Sequence, residues 1–144
     1  MEHIYSAGII TYYNNDASPL YLLLHHTAGH WDFPKGTMEP GETKHETATR
    51  ELFEETGLHV INIDDTFEAE STYPFQHYTK GIMQKTVYFF LGRSTSKSVH
   101  LSHEHTNYKW LPYKEALKQI THDRSKTILK KAHKYITTIK QLED

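Results

Sequence analysis

The segment Gly36–Leu58, GTMEPGETKHETATRELFEETGL, decides the fold and the chemistry of this 144-residue chain. Thr43 followed three residues later by Glu46 is the signature of a capping box, in which each side chain bonds a free backbone N–H of the first turn. Gly57 supplies the left-handed residue that commonly ends a helix. We therefore predict a helix over residues 44–56.

Three carboxylates share one face of this helix. Glu51, Glu54 and Glu55 are spaced i, i+3, i+4, and like charges at that spacing repel one another. A bound cation removes the repulsion, and carboxylate oxygens suit Mg²⁺ or Mn²⁺. The turn-forming residues 33–36 and 40–41 precede the helix and let backbone approach a ligand closely. The alternative interpretation is an ordinary solvated acidic face.

The rest of the chain alternates between strand and helix patterns. Ala48, Leu52 and Thr56 form an inward stripe of the first helix, and Phe53 is expected to extend it. Apolar, aromatic runs predict strands over residues 4–13, 20–25, 60–70, 84–91 and 108–111, with a loop over residues 71–83. Further helices are predicted over residues 113–120 and 124–142. This order indicates a mixed α/β protein.

Composition is that of a small enzyme. At 144 residues we expect one domain, residues 1–144, and the absence of cysteine excludes disulfides and thiol chemistry. The first ten residues lack the basic and long apolar regions of a secretory signal, and Val87–Leu91 is too short to span a bilayer. We therefore expect a cytoplasmic protein with no membrane partner. A net charge of −2 gives no electrostatic support for coating nucleic acid.

The acidic helix and its loop resemble the Nudix box. Gly36, Glu42, the run Arg50–Leu52, the pair Glu54–Glu55 and the pair Gly57–Leu58 match that pattern at every position. Within the superfamily, the flanking runs are similar to the asymmetric diadenosine tetraphosphate hydrolases. These runs are Ala7–Ile10, Trp31–Gly36, Leu101–His105 and Tyr108–Leu111. The resemblance implies an α/β/α sandwich, with a mixed sheet between helices, that hydrolyses diadenosine tetraphosphate to ATP and AMP with Mg²⁺.

The resemblance also implies roles for particular residues. The metal ligands would be Gly36, Glu51, Glu54, Glu55 and Glu104. The catalytic residues would be Glu51, Glu54, Arg50 and Glu104, and either Glu51 or Glu104 could activate the water. Arg50 would orient a glutamate of the box by a charge-assisted hydrogen bond. The alternative is that Arg50 and Glu54 form only an ordinary helix ion pair.

Substrate contacts are expected from one lysine of the loop and from aromatic side chains farther along the chain. The resemblance assigns Lys35 to the phosphates and Tyr78 and Phe89 to the adenine, which offers a flat face for stacking. Lys80, with His77, would meet the distal phosphates. Tyr73 and Phe75 are alternatives for the base, because they lie in the same predicted loop.

Three alternative interpretations remain. His103 and His105 would face one side of an extended segment and could bind zinc. An RNA 5′-pyrophosphohydrolase has a similar Trp-x-Phe-Pro loop, which would make the 5′ end of an RNA the substrate. A module of this fold that senses a nucleotide without hydrolysing it is a third interpretation, because function resides in the site rather than in the fold.

Overall fold

The computed structural model describes residues 2–16 and 18–139, apart from the side chains of residues 61, 62 and 139. Its strands are β1 (His3–Asn15), β2 (Ser18–His26), β3 (Trp31–Asp32), β4 (Lys35–Thr37), β5 (Val60–His77), β6 (Gly81–Ser94) and β7 (His105–Pro112). Its α-helices are α1 (Lys44–Thr56), α2 (Tyr113–Gln119) and α3 (Asp123–Lys134), and α3 continues into a π-helical turn over Tyr135–Ile139.

The strands form one mixed sheet. Its central path runs β3-β2-β1-β6-β5, with β4 added beside β1 and β7 added beside β2. Strands β1 and β6 are parallel, and the other pairs are antiparallel. One face packs against α1 through Ala48 and Leu52, and the other packs against α2 and α3. The predicted sandwich with a mixed sheet between helices is therefore confirmed.

Local signals place α1 where the sequence predicted it. Thr43 and Glu46 form both hydrogen bonds of the capping box, and Gly57 ends the helix at φ 74°. Ala48, Leu52 and Thr56 are fully buried, as expected of the inward stripe. Phe53 was predicted wrongly, because it lies on the outer face, 51% exposed, and stacks on His59.

The predicted loop over residues 71–83 is also wrong. β5 continues to His77 and β6 begins at Gly81, so this segment is a hairpin closed by a short turn. Pairing across the hairpin satisfies the backbone of both arms, including the position of Pro74 opposite Gln84. The two short strands β3 and β4 were not predicted, because they are too brief to carry a periodic pattern.

The last predicted helix is shorter as an α-helix than expected. It begins at Asp123, ends at Lys134 and gives way to the π-helical turn, and residues 140–142 of the prediction lie outside the described residues. Among the helices that the structure describes, none is long and apolar enough to cross a membrane.

Candidate active site

The site begins where β4 passes the side of α1. Gly36 lies against the Glu51 side chain so closely that a Cβ on Gly36 would be 2.0 Å from the Glu51 carboxyl carbon. Any side chain at position 36 would therefore displace this carboxylate. On the adjacent turn of α1, the Glu55 carboxylate accepts a hydrogen bond of 3.1 Å from the Lys35 backbone N–H. The loop and the acidic helix thus form one unit.

Arg50 is the charged centre of this unit. Its guanidinium donates two hydrogen bonds to Glu42, of 2.6 and 3.0 Å, and one of 3.0 Å to the Thr37 carbonyl oxygen. Nη1 donates to Glu51 at 2.8 Å and to Glu54 at 3.1 Å. A planar fork with five donors is suited to this task in a way that a lysine is not. The geometry is that expected of a residue that orients the box glutamates.

We call the recess between β4, α1 and the segment before β7 the carboxylate groove. It is lined by Lys35, Gly36, Thr37, Glu51, Glu54, Glu55, Ser102, His103 and Glu104 and has a volume of about 400 Å³. The four predicted acidic side chains therefore line one recess. Glu55 is buried, Glu51 is half-buried, and Glu54 and Glu104 lie at the surface.

Burial makes the ionised form of two of these carboxylates costly. Burial, together with the smaller effects of the Glu51 and Glu104 charges, raises the pKa of Glu55 to about 9 against the opposing effect of Lys35. The pKa of Glu51 is also raised, first by burial and then by Glu54 and Glu104, although Arg50 opposes the shift. Without a cation, the groove therefore stabilises a proton on Glu55 at neutral pH.

This chemistry fits a divalent cation with oxygen ligands. Within residues 2–16 and 18–139, no three His, Asp or Glu side chains form a preformed metal cage. Mg²⁺ does not require one, because it usually keeps several waters and takes one or two carboxylates together with phosphate oxygens. A cation in the groove would replace the proton on Glu55 and neutralise the repulsion among the glutamates. The residues present therefore fit the metal that the resemblance implies.

A second recess adjoins the groove, and we call it the polar cleft. It has a volume of about 290 Å³ and shares Lys35, Gly36, Glu55 and Glu104 with the groove. Its other lining residues are Leu24, His26, His30, Asp32, Phe33, Tyr73, Lys85, His105, His122 and Arg124. A ligand in the cleft would therefore lie directly beside the glutamates.

The polar cleft carries positive charge that the sequence analysis did not assign. Burial and, to a smaller extent, the neighbouring Lys35 lower the pKa of Lys85 to about 8, against the opposing effect of Asp32. Lys35 and Lys85 line the same recess, and two neighbouring ammonium groups favour an anionic ligand. Arg124 adds a guanidinium, which lies 3.5 Å from the centre of the Tyr73 ring. Tyr73, named only as an alternative, thus lies in the cleft together with these cations.

Histidines form one wall of the polar cleft. His26 stacks on His30 at 4.7 Å between ring centres, and His30 lies 5.9 Å from His122. Burial lowers the pKa of His30 to about 4, with a further contribution from His26, so its ring is neutral at pH 7. Neutral imidazoles offer both a flat face and an N–H donor to a nucleotide.

The zinc interpretation rested on a geometry that the structure does not have. Residues 103 and 104 form a turn that is closed by a 3.2 Å hydrogen bond from the His105 backbone N–H to the Ser102 carbonyl oxygen. Alternate residues of a turn do not face one side as they do in a strand. His103 lines the carboxylate groove and His105 lines the polar cleft, so the two are not brought together as a pair.

Three predicted substrate contacts are not in the cleft. Tyr78 lies in the hairpin turn, 93% exposed, and stacks on His77 at 4.9 Å. Lys80, in the same turn, pairs with Glu2 at 3.3 Å. Phe89 is 2% exposed in the core and makes an edge contact with Phe33. None of the three side chains lines the polar cleft or the carboxylate groove, and their substrate contacts stay a prediction.

Comparison with known proteins shows the family to which the chain belongs. The NUDIX domain model matches residues 2–131. The bis(5′-nucleosyl)-tetraphosphatase [asymmetrical] of Mus musculus is 34% identical over 122 residues, which cover 81% of this chain and 80% of the relative. A crystal structure of a C. elegans Ap4A hydrolase binary complex superposes with a TM-score of 0.79, at 25% identity, over 93% of this chain and 98% of that one. The RNA pyrophosphohydrolase of Psychrobacter cryohalolentis is 29% identical over 106 residues, covering 64% of this chain and 61% of the relative.

The chain therefore belongs to the NUDIX domain family and is a Nudix hydrolase. Within the family it is similar to the asymmetrical bis(5′-nucleosyl)-tetraphosphatases.

The raised pKa of Glu55 predicts how the metal-free protein responds to pH. A carboxyl group whose pKa is about 9 when folded and 4.5 when unfolded binds more protons in the folded state, so stability falls as pH rises between those values. Replacing Glu55 by Gln removes this loss. In EDTA we expect Glu55→Gln to raise Tm relative to wild type by roughly 10–20 °C at pH 8 and to leave Tm nearly unchanged at pH 4.

The control for this measurement is Glu115→Gln on the exposed surface of α2. The difference in Tm between this variant and wild type should be the same at both pH values. Equal Tm differences for Glu55→Gln at both pH values would mean that Glu55 does not carry the proton.

Proposed function

We propose that this chain hydrolyses diadenosine tetraphosphate to ATP and AMP, with Mg²⁺ or Mn²⁺ as cofactor, as a single domain in the cytoplasm. The observation that carries the proposal is the continuity of the two recesses. The carboxylate groove suits a cation, the polar cleft suits a nucleotide, and both are lined by Lys35, Gly36, Glu55 and Glu104. The similarity to proteins named for this activity supports the same substrate.

The reaction is the attack of water on an outer phosphorus. A bond forms between the water oxygen and that phosphorus, and the bond from the phosphorus to the bridging oxygen breaks. AMP leaves with the new oxygen, ATP leaves with the bridging oxygen, and the water proton passes to a base. When bound, the divalent ion would neutralise charge on the phosphate oxygens and lower the pKa of water. Phosphoryl transfer otherwise depends on positioning and electrostatic stabilisation.

The chain's own residues supply that positioning. Glu51, Glu54, Glu55 and Glu104, with the Gly36 carbonyl, would hold the cation, and Arg50 keeps Glu51 and Glu54 in place through its hydrogen bonds. Glu51 and Glu104 remain the candidates for the base, and both line the groove.

The nucleotide would occupy the polar cleft. Lys35, Lys85 and Arg124 present positive charge to the polyphosphate, and Tyr73 and His122 present flat rings to the base. Base stacking on aromatic side chains contributes roughly 1–3 kcal/mol per base. This assignment transfers the base contact proposed for Tyr78 and Phe89 to rings that line the cleft.

Lys85 provides a direct test of the cleft. Lys85→Met keeps the aliphatic stem and removes the charge, so KM for diadenosine tetraphosphate should rise roughly tenfold, because a charge-assisted hydrogen bond to phosphate contributes about 1.5–3 kcal/mol. In the wild type, KM should also rise above pH 8, where the free enzyme's Lys85 loses its proton.

The matched control is Lys130→Met, a change at an exposed position of α3 that should leave KM unchanged. If Lys85→Met and Lys130→Met had the same KM as wild type, the polyphosphate would not bind in the polar cleft.

A further inference from the structure

A third recess lies on the α1 face of the sheet, beyond the N-terminus of α1, and we call it the aromatic groove. It has a volume of about 460 Å³ and is lined mainly by Tyr5, Tyr88, Met38 and Lys44. Tyr5 is 44% exposed although it is a large aromatic side chain in the sheet. Neither the capping of α1 nor the chemistry of the glutamates uses this surface.

The rings of the aromatic groove are already arranged for stacking. His3 and Tyr5 stack with ring centres 4.4 Å apart and planes within 6°, and Tyr5 and Tyr88 lie parallel within 6° at 6.4 Å. These contacts follow from the register, which places His3 and Tyr5 on one face of β1 beside Gln84 and Thr86 of β6. His3 covers one face of Tyr5, so a flat ligand ring would stack on the face that His3 leaves open.

Charge at the groove also favours a nucleotide. The Lys44 ammonium lies 4.1 Å above the centre of the Tyr88 ring and 3.4 Å from Glu68. An ammonium beside an aromatic face can contact both a base and an adjacent phosphate. Thr37 lines both the aromatic groove and the carboxylate groove, so the two recesses border each other at β4.

We propose that the aromatic groove binds the second nucleoside of a dinucleoside polyphosphate, with its purine stacked on Tyr5. The inference rests on the proposed function, because it assigns one base to each end of the polyphosphate. The first base lies in the polar cleft near Tyr73, and the second lies on the opposite side of the glutamates. The enzyme then selects a substrate with two nucleosides over one with a single nucleoside.

The test compares diadenosine tetraphosphate with adenosine 5′-tetraphosphate, which lacks the second nucleoside. Tyr5→Leu should lower kcat/KM for the dinucleotide roughly tenfold and leave the mononucleotide within about twofold, because only the dinucleotide loses a stacking contact. Tyr5→Phe keeps the ring and should retain the wild-type ratio of the two rates. Tyr108→Leu, a change at an exposed tyrosine of β7 that lines none of the three recesses, is the matched control.

A second readout does not depend on turnover. Titration of metal-free protein with AMP should shift the ring resonances of Tyr5 and Tyr88 in the NMR spectrum, and Tyr5→Leu should abolish the Tyr88 shift. Equal effects of Tyr5→Leu on both substrates, or unshifted Tyr5 and Tyr88 rings, would overturn the inference. Failure of the proposed function would be separate, since wild type would then not release ATP and AMP from the dinucleotide.

Discussion

Replacing Glu54 by glutamine should lower kcat by roughly 10²–10³-fold while substrate binding changes little. Glu54 lines the carboxylate groove and is held by Arg50 at 3.1 Å, so the amide keeps the size of the side chain and loses its charge. Loss of a ligand charge for the cation removes several kcal/mol of stabilisation of the developing phosphate charge, and each 1.36 kcal/mol is tenfold in rate. Steady-state kinetics and equilibrium binding to metal-free protein measure the two quantities.

Glu115→Gln on α2 is the control, because Glu115 is exposed and lines none of the three recesses. A Glu54→Gln variant that lost nucleotide binding with unchanged turnover would contradict the catalytic account and favour a nucleotide sensor. A variant that turned over like wild type would remove Glu54 from the site.

Replacing Arg50 by alanine should have the second largest effect, on rate and on stability together. The Arg50 side chain is only 23% exposed, and its removal leaves the carboxylates of Glu42, Glu51 and Glu54 without their shared counter-charge. Loss of a residue that orients metal-binding groups typically costs 10–100-fold in activity or metal affinity. We also expect the free energy of unfolding to fall by roughly 2–3 kcal/mol, which lowers Tm by about 4–12 °C in a domain of this size.

Two further variants separate the orienting role from an ordinary ion pair. Arg50→Lys keeps the charge without the fork, so it should remain at least roughly tenfold below wild type in kcat. Lys118→Ala, a change at an exposed position near the end of α2, should leave both quantities unchanged. If Arg50→Ala retained wild-type turnover, metal affinity and Tm, the contact with Glu54 would be a helix pair worth only a few tenths of a kcal/mol.

The parts of the fold that sequence predicts well are those fixed by local chemistry. Thr43, Glu46 and Gly57 set both ends of α1 through hydrogen bonds to nearby backbone, so the helix falls where the pattern placed it. The spacing of Glu51, Glu54 and Glu55 also follows from helical geometry alone. Phe53 was predicted wrongly because an apolar residue at the border of the inward stripe can lie either against the sheet or on the exposed face of the helix.

The polar cleft depends on the register of the β5–β6 hairpin and on the packing of α3, which no local pattern encodes. Lys85 and Tyr73 face the cleft because they pair directly across the β5–β6 hairpin. The resemblance instead assigned Tyr78 to the base, and this residue lies in the turn of the hairpin. Because side chains alternate along a strand, Lys85 lies on the same face of β6 as Val87 and Phe89, which the sequence can predict. The sequence does not predict that the packing of α3 brings Arg124 to the same cleft.

The central claim is tested most directly by product analysis of the purified protein with Mg²⁺. Diadenosine tetraphosphate, a 5′-triphosphorylated RNA and a mixture of nucleoside triphosphates would be offered at equal concentration. The account predicts ATP plus AMP from the dinucleotide, at a rate well above those of the other two substrates. Faster release of phosphate or pyrophosphate from the RNA would contradict it and make the chain an RNA 5′-pyrophosphohydrolase.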